Sequence, residues 1–328
     1  MLFEGEKMRN IAIIKKCLDS ERELILSYAG KEDKILFFDN EEQFINSEDY
    51  TNVEIVFGEP EYSTIQSMKK LRWIQMSWAG VNKYTSIQNF PDDIIVTNAA
   101  GAYGSAVSEY VITGILALIR KIFLYREQVK KGGWNQIEGD DTLEGKRVLI
   151  LGTGNIGQET AKKLNCFGVH TVGICRNLPN RELPFDEIYA VDKMDEELKS
   201  ADVIVIALPG TTETAGMFGM ERIKMMKENA ILVNVGRGLI VNTDELTSAL
   251  QSGMIRGAVL DVTDPEPLPE NHPLRDMENV ILTPHISGIT WGGNLHTRRR
   301  IVDIFCENLM RDMNNELKKN IIDFCKGY

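Results

Sequence analysis

Val148-Leu149-Ile150-Leu151-Gly152-Thr153-Gly154-Asn155-Ile156-Gly157 is an apolar strand-like run that breaks into three spaced glycines. Gln158-Glu159-Thr160-Ala161-Lys162-Lys163-Leu164 follows with the composition of a helix. Strand, G-x-G-x-x-G and helix in that order are the setting in which a glycine turn binds a dinucleotide. Gly152 permits the tight turn, Gly154 lets backbone approach a pyrophosphate, and Gly157 lets helix and strand pack closely. The helix N-terminus adds unsatisfied N–H donors and the positive end of its dipole. Asn155 and Ile156 complete the candidate phosphate turn.

The residue ending the next strand bears on which dinucleotide such a site takes. An acid there, roughly 20 residues after the glycines, holds a ribose 2′-hydroxyl. An arginine pairs instead with a 2′-phosphate. The chain reads Thr171-Val172-Gly173-Ile174-Cys175-Arg176-Asn177, so Cys175 takes the acidic slot and Arg176 follows it. The expected cofactor is NADP, with NAD the alternative if Arg176 is only a solvated loop residue.

Outward from the glycine turn, 328 residues favour two domains over one. From Lys146 to Pro284, apolar runs at 148–151, 170–173, 203–207, 231–234, 257–261 and 280–283 predict six strands with intervening helices. Over the first hundred residues, runs at 10–14, 24–28, 35–38, 53–57 and 73–76 alternate with polar, helix-compatible stretches, and 96–98 closes the series. That is the rhythm of a βαβ domain with a parallel sheet. A long helix is expected over 105–131, with Val107, Val111, Ile115 and Leu118 at helical spacing, Ser105 as its cap and Gly132-Gly133 as its end. The segment from about Gly288 reads as helix again. Its Arg298-Arg299-Arg300 triplet is expected on a solvated face rather than at an anion site.

Composition excludes several functions. Apolar residues make up 43% of the chain, enough for real cores without metal or disulfide staples. The formal net charge of −11 argues against broad nucleic-acid or anionic-membrane binding. It also requires that any anionic substrate be held by a local cation. Cys17, Cys166, Cys175, Cys306 and Cys325 are scattered, an odd set that suits a reducing, cytoplasmic compartment. Four histidines without ligand spacing predict no metal site, and no apolar stretch is long enough to span a membrane.

Three more segments follow predicted strands, where ligands of open α/β sheets bind. They are Val233-Asn234-Val235-Gly236-Arg237-Gly238, Leu260-Asp261-Val262-Thr263-Asp264-Pro265-Glu266 and Thr283-Pro284-His285-Ile286-Ser287-Gly288. With the glycine turn, with Leu208-Pro209-Gly210-Thr211-Thr212-Glu213-Thr214, and with Ser77-Trp78-Ala79-Gly80-Val81, they resemble the D-isomer-specific 2-hydroxyacid dehydrogenase family over nearly the whole chain. The Trp-Ala-Gly form and the arginine after the second strand look closest to glyoxylate/hydroxypyruvate-reductase-like members.

The resemblance implies an α/β chain of two doubly wound parallel-sheet domains. One is a smaller, flavodoxin-like substrate domain over 1–100, joined by 288–328. The other is a Rossmann dinucleotide-binding domain over 101–287. It implies His285 as acid/base, Glu266 as its hydrogen-bonded partner, and Arg237 as the holder of the substrate carboxylate. Trp78, Ala79 and Gly80 would complete the substrate site. Leu208, Pro209, Thr214, Val235, Gly236, Asp261, Ser287 and Gly288 would join Cys175, Arg176 and the glycine turn around the cofactor, with Asp261 on the nicotinamide carboxamide. It further implies a homodimer through the 105–131 helix, and with only a short stretch after His285 no extra C-terminal regulatory domain is expected. Two other readings share the fold: a nicotinamide-sensing binding protein, and an enzyme oxidising a donor such as formate. The full Arg237, Glu266 and His285 set favours the dehydrogenase.

Overall fold

The computed structural model describes residues 8–288, 291 and 293–327. The chain forms two compact units, Met1–Ala102 with Trp291–Tyr328, and Tyr103–Thr290.

The first unit carries β1 (Asn10–Ile13), β2 (Lys34–Phe37), β3 (Ile55–Phe57), β4 (Trp73–Gln75) and β5 (Ile95–Thr97). They pair in parallel in the order β2-β1-β3-β4-β5, the flavodoxin-like winding. Ile11, Ile13, Val56 and Ile74 are fully buried, as continuous apolar runs covered by helices on both faces must be.

The 24–28 run is not a strand. It lies in the helix Asp19–Ser27, whose first turn is closed by the Glu21 carboxylate accepting the Leu18 N–H at 2.8 Å. Ile25 is buried and Leu26 is exposed, so only a helical stripe faces inward. The closing helix, Leu295–Met313, belongs to this unit and starts at Asn294, whose side chain accepts the His296 and Thr297 N–H groups. Residues 289, 290 and 292, within the stretch expected to be helical, lie outside the described residues.

Arg298 also departs from expectation. It is buried, donates to Glu21 at 2.8 and 2.6 Å, and stacks its guanidinium 4.4 Å from the centre of the Trp291 ring. Helical spacing puts it on the inward face with Ile301 and Phe305, whereas Arg299 and Arg300 are exposed. Near the helix end Asp312 gathers Arg9, Arg72 and Lys318 within 3.1 Å.

The second unit holds β6 (Arg147–Leu151), β7 (His170–Cys175), β8 (Glu187–Ala190), β9 (Val203–Ile206), β10 (Ile231–Asn234), β11 (Gly257–Leu260) and β12 (Val280–Leu282). The order is β12-β11-β10-β9-β6-β7-β8, parallel throughout. Its topological switch lies between β6 and β9, the crevice in which dinucleotides bind.

The seventh strand, β8, falls outside the six apolar runs. It is a half-buried edge strand whose Glu187 carboxylate takes Arg147, His170 and the Tyr189 hydroxyl. The expected single helix over 105–131 is two, Gly104–Ile119 and Ile122–Lys130, separated at Lys121 by a left-handed φ of 53°. Ser105 does not cap it; it sits in the first turn with its hydroxyl on Glu109. Among the described residues no helix is long and apolar enough to cross a membrane, and no group of His, Cys, Asp and Glu could hold a metal ion.

Candidate active site

Because the seven strands are parallel, the loops after β6, β7, β9, β10, β11 and β12 all leave from the same sheet edge. After β6, Gly152 turns at φ 106°, and a Cβ there would stand 2.7 Å from the Ala207 carbonyl. A Cβ on Gly157 would stand 2.0 Å from the Gly152 carbonyl, which is the close packing the motif requires. Above Gly154 nothing lies within 4 Å of a Cβ position. Gly154 caps the eleven-residue helix Asn155–Asn165, whose first N–H groups have no intrahelical acceptor. An open backbone surface at a helix N-terminus fits a pyrophosphate. Ile156 is partly buried in the core, and the Asn155 side chain lies against Gly104, where a Cβ would be 2.2 Å from its Oδ1.

Cys175 ends β7 with its thiol on the Tyr189 carbonyl at 3.6 Å, and Arg176 follows, paired with Glu213 at 2.7 Å. Leu208 and Pro209 leave β9, and the buried Thr214 donates to the Pro209 carbonyl at 2.7 Å, tying that loop.

After β10 the loop is braced by Asn234, which composition and spacing do not single out. Its Oδ1 accepts the Gly236 N–H and its amide donates to the Arg237 carbonyl, both at 3.1 Å. Val235 and Gly236 are buried. A Cβ on Gly236 would meet the Leu208 carbonyl at 2.6 Å, and one on Gly238 the Thr263 carbonyl at 1.9 Å. These two glycines let the β9, β10 and β11 loops close on the backbone of Arg237. The Arg237 guanidinium donates to the Gly236 carbonyl at 2.7 Å. Burial lowers its pKa and Glu266 partly offsets that, so the cation sits where an anion is favoured.

Asp261, only 1% exposed, anchors the last loop. Its carboxylate accepts the Thr283 hydroxyl at 2.7 Å, the Ile286 N–H at 2.8 Å and the Ser287 N–H at 2.9 Å. The Thr283 hydroxyl lies 2.5 Å from that of Tyr110, whose pKa burial pushes up to about 12. His285 adopts a left-handed φ of 55°, with its own N–H on the Asp261 and Thr283 carbonyls. Non-glycine residues held there cluster at functional sites. Its Nδ1 lies 2.6 Å from Glu266 Oε1, so Nε2 is the ring nitrogen left for other chemistry. Both side chains line a cavity of about 480 Å³, with Leu268, Leu282 and Pro284 among its walls. Gly288 follows, with the Tyr103 ring 3.2 Å from where its Cβ would be.

In the first unit Ser77 is held by Glu59, which takes both its N–H and its hydroxyl. The Trp78 carbonyl accepts the Ala99 N–H and the Ala79 carbonyl accepts the Asn98 amide, each at 2.9 Å. Trp78 is 45% exposed, with Lys15 5.4 Å from its ring centre; Gly80 is half-buried.

Residues 112–287 match the model of the D-isomer specific 2-hydroxyacid dehydrogenase NAD binding domain. A glyoxylate reductase of Thermofilum pendens is 33% identical over 244 residues, 70% of this chain and 68% of the relative. A glyoxylate/hydroxypyruvate reductase B of Pectobacterium carotovorum is 30% identical over 272 residues, covering 81% and 83%. The crystal structure of a D-isomer specific 2-hydroxyacid dehydrogenase family protein from Aeromonas salmonicida superposes with a TM-score of 0.85 at 33% identity, covering 96% of this chain and 99% of that one. With the winding, the glycine turn and these likenesses in agreement, the chain belongs to the D-isomer-specific 2-hydroxyacid dehydrogenase family.

Proposed function

We propose that the protein reduces a small 2-keto acid of the glyoxylate or hydroxypyruvate kind to its D-2-hydroxy acid, with NADP(H) as preferred cofactor. The observation that carries this reading is the His285 Nδ1–Glu266 Oε1 pair at 2.6 Å, on the sheet edge that also bears Arg237 and the glycine turn. When bound, the nicotinamide supplies the hydride in reduction and accepts it in oxidation. Gly152, Gly154 and Gly157, with the helix they open, hold the pyrophosphate. Leu208, Pro209, Thr214, Val235, Gly236, Ser287 and Gly288 form the rest of the dinucleotide site, and Arg176 beside Cys175 takes the 2′-phosphate.

Arg237 binds the substrate carboxylate and draws electron density from the adjacent carbonyl; a partly desolvated guanidinium does this best in bidentate geometry. His285 Nε2 gives its proton to the carbonyl oxygen in reduction and takes it back from the hydroxyl in oxidation. Glu266 stabilises the imidazolium and fixes the ring's orientation. Asp261 holds the 283–287 loop with three of its acceptor sites, and the capacity left serves the carboxamide. Trp78, Ala79 and Gly80 belong to the first unit, the substrate domain on this reading. A homodimer in a reducing, cytoplasmic setting completes the proposal; all five cysteines are unpaired.

The test is oxidation of NADPH and NADH with glyoxylate, hydroxypyruvate, pyruvate and 2-ketobutyrate, beside aldehydes lacking the carboxylate. Turnover with at least one acid and none with the aldehydes is expected. No turnover with any acid, from protein that binds either dinucleotide, would overturn it.

A further inference from the structure

The residue that follows β7 meets a second charge from another loop. Arg176 Nη2 donates to Glu213 Oε2 at 2.7 Å. Glu213 stands in a turn that is itself pinned. The Thr214 hydroxyl accepts the Thr211 N–H at 2.9 Å and donates to the Pro209 carbonyl at 2.7 Å, while the Ala215 N–H donates to the Thr211 carbonyl at 2.9 Å. The backbone carrying Glu213 is therefore fixed opposite Arg176, while both side chains are exposed to solvent, at 51% and 68%.

We propose that Glu213 is a specificity-determining residue, setting how strongly the chain distinguishes NADP(H) from NAD(H). The proposal rests on the dinucleotide reading of the glycine turn. An arginine alone after the second strand attracts a 2′-phosphate through charge and paired N–H donors. A carboxylate on the same guanidinium removes much of that attraction in two ways. It occupies donors the phosphate needs, and it repels the phosphate as a like charge. An unphosphorylated ribose meets neither effect, since a neutral hydroxyl neither competes for the guanidinium nor suffers the repulsion. An exposed ion pair is weak, so a 2′-phosphate can displace Glu213, but the preference for NADP(H) is smaller than Arg176 alone would give.

Dissociation constants of NADPH and NADH, measured by calorimetry on the full chain and on Glu213→Gln and Arg176→Gln, decide the matter. A unit charge a few ångströms away in a solvent-exposed setting changes affinity about five- to tenfold. Glu213→Gln is expected to tighten NADPH by about that factor and to leave NADH within about twofold. Arg176→Gln is expected to weaken NADPH and spare NADH. An NADPH-to-NADH ratio unchanged by Glu213→Gln, or both constants moving together, would overturn the proposal. Wild-type protein that binds neither dinucleotide would overturn the underlying reading, and the proposal with it.

Discussion

His285 and Glu266 form a pair whose separate contributions can be measured. Glu266→Gln keeps a hydrogen-bonding side chain but removes the charge that stabilises the imidazolium, and kcat for reduction is expected to fall roughly 10- to 100-fold. Reduction requires protonated His285, so its rate should fall toward alkaline pH; oxidation requires the neutral ring and should fall toward acid. Flat profiles in both directions between about pH 5 and 9 would contradict the assignment. Arg237→Lys keeps the charge but loses the fork, so KM for the keto acid should rise about 10-fold or more with dinucleotide affinity little changed. The charged and glycine positions of this site were legible because they interrupt apolar runs in recognisable company. Asn234 was not, because a buried asparagine ending a strand looks like any other strand end until its two bonds to the Arg237 loop are seen.

Elements whose faces are buried on both sides declare themselves as unbroken apolar runs, and β6, β9, β10 and β11 were readable for that reason. β8 was not, since an edge strand needs few apolar residues and is held largely by Glu187 and its partners. The run at 24–28 misled because five apolar-rich residues fit one helix turn as well as one strand, and only Glu21 at the start of the helix separates the two. The break at Lys121 carries no glycine or proline to announce it.

The Leu295–Met313 helix is fastened at both ends by buried ion pairs, Arg298 with Glu21 and Asp312 with its three cations. Burial alone would raise the Asp312 carboxyl, but Arg72 and Lys318 outweigh it and hold the group well below the usual carboxylate range. Its stabilising contribution is therefore present above about pH 4 and is lost as pH falls further toward its depressed native value. Asp312→Ala removes the carboxylate that Arg9, Arg72 and Lys318 share, leaving Arg9 with Asp33 and Arg72 with Glu54, and should cost about 3–5 kcal/mol in chemical denaturation; a loss under about 1 kcal/mol would contradict the role given to it.

Across the whole molecule, two parallel sheets with different windings divide the chain, and the seven-stranded one sets the glycine turn, Arg237, Glu266 and His285 along one edge. A net charge of −11 gives an anionic substrate no general attraction, which leaves its capture to local cations. The proposed homodimer predicts twice the monomer mass by light scattering at micromolar concentration, and the monomer mass would contradict it. The most direct test of the account is kcat/KM of His285→Ala against the unaltered protein with its best 2-keto acid, beside the NADPH dissociation constant of each. The account predicts a fall of roughly 100-fold or more with NADPH binding retained. Undiminished turnover in the variant would contradict it.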